Sequence, residues 1–299
     1  GPLRKAFFGI IWSLADTVLI KGSMLFVGIL IARIIGPEEY GLFAIVAVFS
    51  ALGNVIVDSG MSSSLIRSKD NASLDYSSVF IGSVLIGTLV YILSYISAES
   101  IANYFGHSKV KSLIQVNGLI LIFGSFYSVH SAYLIRNLNF RRATLLNIPG
   151  IILGSFTGVI LALGGHGVWC LIYMTVVNRL TTMCVYLWRV ELRFPIVFSK
   201  VTFYSHFSYG YKILLSTVLN KLFIYSYNVV IGRNHPIEMV GNFERASSLS
   251  AYTNDTLTGA LKKVSFPLLS KIQSDVDKLK RVYRNLMRTS FFVFAPFMV

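Results

Sequence analysis

Charge is scarce in these 299 residues: 13% are Asp, Glu, Lys or Arg, against 54% that are hydrophobic. That balance excludes an ordinary soluble domain. Cysteine is scarcer still. The two present, Cys170 and Cys184, fall in one predicted helix about 20 Å apart, so no disulfide framework joins them. The five histidines are scattered, and no Cys, His and carboxylate set has metal-ligand spacing, which gives no reason to expect a metal or other cofactor. A phosphate-cradling glycine loop is also missing, so nucleotide drive within this chain is unsupported. The connections expected on the outer side are short and poor in candidate acids and bases. That argues against an enzyme such as a membrane glycosyltransferase, polymerase or ligase.

What is present in quantity is apolar sequence. Runs long enough to cross about 30 Å of hydrocarbon recur from end to end, unlike a signal peptide followed by a polar chain. The spacing predicts an all-α integral membrane bundle of about nine spans, the last incomplete. They run from Phe8 to Ile35, Glu39 to Ile66 and Tyr76 to Ser97, with a short amphipathic stretch from Ile101 to Phe105 before the fourth, Val110 to Ile135. The fifth and sixth are Ala143 to Leu163 and Val168 to Trp188, joined by a glycine-rich turn. A polar connection, Arg189 to Thr202, precedes the seventh, Tyr204 to Ile231, and the eighth, Met239 to Leu261. An amphipathic basic helix is expected between Lys262 and Arg288, with a ninth span starting near Met287. The polar connection divides the chain into a six-span lobe over residues 1–200 and the start of a second lobe over 201–299. The first residues, Gly1 and Pro2, and an end in mid-helix at Val299 lead us to expect the N-terminal portion of a longer protein.

The net charge of +14 does not require nucleic acid. Basic residues concentrate in alternate connections: Arg4 and Lys5, Arg67 and Lys69, Arg136 with Arg141 and Arg142, Arg189 with Arg193 and Lys200, then the run from Lys262 to Arg288. Cytoplasmic loops accumulate Lys and Arg, so the amino terminus is expected in the cytoplasm. The intervening turn, Arg33-Ile34-Ile35-Gly36-Pro37-Glu38-Glu39-Tyr40-Gly41, then faces outward. Pro37 fits the first position of a helix, and the two glutamates complement that helix's positive end. A loose echo follows at Arg233 to Glu238, with Gly241-Asn242-Phe243 standing where Gly41-Leu42-Phe43 stood. Such an echo points to parallel repeats of the kind several transporters use.

The string from Ala32 to Gly41, followed by Leu42-Phe43-Ala44, resembles the opening motif of the polysaccharide-export flippases, a branch of the multidrug/oligosaccharidyl-lipid/polysaccharide exporter superfamily. Phe266-Pro267-Leu268-Leu269, Tyr283-Arg284 and Ala295-Pro296 resemble the same family's linker and ninth helix. The resemblance implies a non-enzymatic transporter of the bacterial inner membrane that flips undecaprenyl-diphosphate-linked oligosaccharide for O-antigen, capsule or exopolysaccharide synthesis. It implies working partners in the bilayer, polysaccharide polymerase and chain-length proteins among them. Multidrug antiport and lipid II flipping are the nearest alternatives.

Ionisable residues inside spans are the candidate site, since each costs about 2.5–3.5 kcal/mol at the bilayer centre. Lys21, Lys221 and Arg245, joined by Arg179, form a cationic set suited to diphosphate oxygens. Excess buried basic charge argues against the usual cationic drugs. With the substrate the resemblance supplies, Asn228, Asn242 and Tyr252 are sugar contacts, and Asp16, Asp58 or Asp255 is expected to carry a coupling ion.

Overall fold

The computed structural model of the chain describes residues 2–67, 73–137, 139–192 and 194–248, with positions 280, 284 and 288; within the first helix it describes side chains at 22 and from 26 onward. Helix is the only regular secondary structure among these residues. In order they are α1 (Pro2–Asp58), α2 (Met61–Arg67), α3 (Ser73–Phe105), α4 (Lys109–Asn117), α5 (Leu119–Arg136), α6 (Phe140–Leu163), α7 (Trp169–Arg189), α8 (Lys200–Asn234) and α9 over residues 237–248. Six stretches are long and apolar enough to cross a membrane: Phe26–Asp58, Ser73–Phe105, Lys109–Arg136, Phe140–Leu163, Trp169–Arg189 and Lys200–Asn234. Of the linker helix and ninth span expected beyond Lys262, only positions 280, 284 and 288 are described, each helical and exposed.

Helix α1 is two limbs meeting at Gly36, whose φ of 79° and ψ of 173° are open essentially to glycine alone. Pro37 then starts the second limb. Val27, Ile31 and Ile35 before the break share one apolar cluster with Tyr40 and Phe43 after it, together with Ala162, Cys170 and Leu171. A straight helix would hold Val27 and Phe43 about 24 Å apart. The limbs therefore fold toward each other.

Several boundaries differ from the sequence-based expectation. The second span is interrupted at Ser59 and Gly60, both at positive φ, 47° and 65°. The backbone of Gly210 packs there, and a Cβ on Gly60 would lie 2.5 Å from the Gly210 carbonyl oxygen. The stretch Ile101 to Phe105 is no separate amphipathic segment; it is the last turns of α3, its Phe105 buried in the main core with Val110 and Leu113. The fourth span is divided at Gly118 into α4 and α5, and a Cβ there would lie 2.9 Å from the Tyr91 ring.

Polarity is distributed as a lipid solvent requires. Ser77, Ser78 and Ser125 are wholly buried, while Ile96, Phe156, Leu163 and Phe223 are 64–72% exposed. An aqueous protein would reverse that arrangement. The chain is a multi-pass membrane protein.

Candidate functional site

Polar side chains thread the middle of the α1–α7 bundle. Asn117 donates to Ser50 Oγ at 2.6 Å and accepts from Thr175 Oγ1 at 2.8 Å, so α1, α4 and α7 are joined through one buried amide. Two polar cavities adjoin this chain. One, about 250 Å³, lies between α1, α2 and α5 with Asp58 and Asn54 in its wall. The other, about 380 Å³, lies between α5, α6 and α7 with Asn147, Asn178 and Arg179 in its wall. Tyr127 and Ser131 line both. Asp58 is held by the Ser62 side chain and the Gly60 backbone. Arg179 donates to the Tyr127 hydroxyl and lies over its ring.

The other cations sit elsewhere. Lys221, partly buried on α8, has its Nζ 5.7 Å from the centre of the Tyr225 ring. Arg245, on α9, donates to the carbonyl oxygens of Ala32 at 2.5 Å and Gly36 at 3.3 Å. These carbonyls end the first limb of α1, where the helix dipole is negative and backbone acceptors lack intrahelical partners. The guanidinium also lies 4.8 Å from the centre of the Tyr40 ring, bracing both sides of the break. Asn228 is buried and donates to Glu244 Oε2 at 2.6 Å, fastening α8 to α9. Asn242 is exposed. Asp16 and Lys21 lie on the first limb of α1, with side chains outside the described set; Tyr252 and Asp255 lie outside the described residues. Thus Arg179, Lys221 and Arg245 occupy three separate settings in this arrangement. None has a carboxylate partner among the described residues.

At the Gly36 end the two echoing turns meet. A Cβ on Gly41 would lie 2.2 Å from the carbonyl oxygen of Ile237, and one on Gly241 would lie 2.1 Å from that of Pro37. Each turn thus presents a glycine to the backbone of the other. Glu39 gathers the neighbouring turns: its Oε2 accepts from the Val168 backbone N–H at 2.7 Å and its Oε1 pairs with Lys109 at 3.0 Å.

The sequence profile of the polysaccharide biosynthesis protein family matches residues 30–299. The chain belongs to that family. Among curated proteins it is similar to the succinoglycan biosynthesis transport protein ExoT of Rhizobium meliloti (strain 1021), 25% identical over 271 residues covering 90% of this chain and 54% of the relative. It is also similar to the lipopolysaccharide biosynthesis protein WzxC of Escherichia coli (strain K12), 22% identical over 95% of this chain and 58% of the relative. A third is the teichuronic acid biosynthesis protein TuaB of Bacillus subtilis (strain 168), 18% identical over 84% of this chain and 52% of that protein. The chain therefore spans about half the length of these relatives. Two of the three are named for biosynthesis alone and one for transport, none for a catalysed reaction. No solved structure matches the chain significantly.

Against this family background, the roles of three polar groups go beyond the sequence reading. Glu244 is a carboxylate inside the eighth span, and its position there was signal enough. Glu39 serves α7 and α4 rather than only its own helix start, which no local pattern shows. Ser64, His206 and Asp75 form the third case: Ser64 Oγ meets His206 Nδ1 at 2.8 Å, and Asp75 Oδ1 meets Nε2 at 3.2 Å. Ser64 and His206 are buried, leaving no room for a substrate beside the hydroxyl. The trio ties α8 to α2 and α3.

Proposed function

We propose that the full-length protein flips an undecaprenyl-diphosphate-linked oligosaccharide from the cytoplasmic to the periplasmic leaflet of the bacterial inner membrane. Two lobes, residues 1–200 and a second beginning at 201, would rock about a central site while the lipid tail stays in hydrocarbon. Lys21, Lys221 and Arg245, with Arg179, hold anionic parts of the substrate on this reading; Asn228, Asn242 and Tyr252 meet sugar, and Asp16, Asp58 or Asp255 carries a coupling ion. One observation supports it most: a member of a polysaccharide biosynthesis family carries intramembrane cations that no described carboxylate neutralises. Structural ion pairs are the usual way to offset such charges. Their absence among the described residues leaves the cations available to an anionic substrate. Arg245 has a second duty here, as the cap of the broken helix, and would exchange backbone carbonyls for phosphate oxygens as the Gly36 end opens.

The test uses the full-length protein in proteoliposomes, following a labelled undecaprenyl-diphosphate oligosaccharide between leaflets under an imposed proton or sodium gradient. Lys221→Ala is expected to abolish movement with unchanged melting temperature. Arg245→Ala is expected to lose both movement and stability. Normal movement by both variants would remove them from the site, and no movement by the wild-type protein would reject the flippase reading.

A further inference from the structure

Arg179 carries a charge that no carboxylate among the described residues answers. It sits at the middle of α7, about 15 Å from either helix end. Its guanidinium is always ionised and has five N–H donors; the Tyr127 hydroxyl takes one, and the cavity of about 380 Å³ that Arg179 lines is where the rest have room to bond. The lining is that of a small-molecule site. Asn147 and Asn178 supply amides, Asn178 Oδ1 also accepting from Thr182 at 3.5 Å, while Tyr127 packs against the buried ring of Tyr186 with 5.3 Å between centres. No acid is among that lining; Asp58 lines the adjoining cavity and is occupied by Ser62 and the Gly60 backbone.

We propose that this cavity recognises a single carboxylate carried on a sugar ring. One guanidinium forks onto one carboxylate, whereas a diphosphate wants several cations, and Lys221 and Arg245 lie elsewhere. The amides of Asn147 and Asn178 match the ring hydroxyls that surround such a carboxylate on a sugar. The inference rests on the sugar-transport reading and narrows it: part of the cargo is an acidic sugar, read within the α5–α7 bundle apart from the diphosphate. A different occupant is Asp16, on the α1 limb that packs against α6 through Ile31 at Gly158. As an internal counter-ion it would make the charge purely structural.

The experiment measures the thermal melting shift of the full-length protein in nanodiscs on adding sodium glucuronate, glucose or sodium acetate at equal concentration and ionic strength. Glucuronate alone is expected to raise the melting temperature, with its half-saturation weakened roughly tenfold or more in Arg179→Gln. Equal shifts from glucose or from acetate would overturn the proposal using wild-type protein alone. So would an unchanged glucuronate response in Arg179→Gln. If Arg179→Gln does not fold and Asp16→Asn in the same chain restores folding, Asp16 is the counter-ion and the proposal fails. Leaflet exchange of a lipid-linked oligosaccharide that carries a glucuronate residue is run alongside with the wild-type protein. Its failure would reject transport, whereas the glucuronate response tests the cavity independently.

Discussion

At the scale of single residues, Gly36 and Glu39 define the outward turn by different physics. A Cβ on Gly36 would meet nothing within 4 Å, so a substitution there reports backbone conformation alone. Gly36→Ala is expected to cost about 1–3 kcal/mol in unfolding free energy. Gly28→Ala is the control: Gly28 lies inside α1 with nothing near its would-be Cβ, and there alanine should be neutral or stabilising by about 0.4–1 kcal/mol. A denaturation series on the two variants that showed equal effects would mean that the break is not held by glycine geometry. Glu39 acts through its partners. The Lys109 ammonium it holds is mostly exposed, with 63% of the side chain accessible, and such pairs contribute about 0–1 kcal/mol. The bond from Val168 N–H closes an orphan donor at the start of α7, worth about 0.5–2 kcal/mol in ordinary capping. Glu39→Ala should therefore lower the melting temperature clearly more than Lys109→Ala; the reverse order would place the energy in the ion pair.

At the scale of elements, the second limb of α1 with α2 meets α9 through glycine at one end and α8 through glycine at the other. Gly41 and Gly241 serve one end, Gly60 and Gly210 the other. A Cβ at Gly241 or Gly41 meets backbone, which cannot swing aside, so each alanine must push the turns apart and is expected to cost about 1–3 kcal/mol. Once one substitution has separated the turns, the second has less left to disturb. The Gly41→Ala/Gly241→Ala double variant should lose clearly less stability than the sum of the singles, whereas Gly241→Ala with Gly210→Ala, about 30 Å apart along the helices, should add. Additivity in the first pair would show that the turns do not share one contact. These contacts also mark what the sequence did and did not disclose. Gly36-Pro37 is a local signal, since both residues restrict their own backbone, and it located the break. The Asp58-Ser59-Gly60 interruption carried a comparable turn signal inside an apolar run, where length alone favoured one continuous span. Span ends near Leu163, Trp188 and Ile231 followed from hydropathy to within a few residues. The placement of Arg179 beside Tyr127, or of Glu39 beneath Val168, depends on which helices are neighbours, and hydropathy is silent on that. Intramembrane charges could be enumerated from sequence, but not sorted into the three settings they occupy.

At the scale of the whole molecule, the turns fall into two groups with different charge economy. At the Gly36 end, Lys109 pairs with Glu39 and Lys111 with Glu99, and Arg233 donates to the Tyr104 carbonyl. The basic residues there are few, and Lys109, Lys111 and Arg233 have local partners. At the opposite end Arg67, Arg136, Arg141, Arg142 and Arg189 crowd the connections between α2 and α3, α5 and α6, and after α7. Arg67 stacks on Tyr209 and Arg142 donates to the Arg189 carbonyl, so these guanidiniums keep their full positive charge while fixing the helix ends. Lys and Arg accumulate in short cytoplasmic connections whatever acids stand beside them, so the count alone assigns this end to the inside. Single cysteines read the sidedness directly. In a background with Cys184→Ser, leaving only buried Cys170, replacements at the exposed positions Ser108 and His166 should react with a membrane-impermeant maleimide in intact cells. Replacements at Asn137 and Arg141, exposed at the other end, should react only after the membrane is opened. The inverse pattern would turn the molecule over, put the Gly36 hairpin in the cytoplasm and require Arg245 to cap an inner gate. Labelling of all four from outside would break the alternation of α3 through α7 on which every assignment of sides depends.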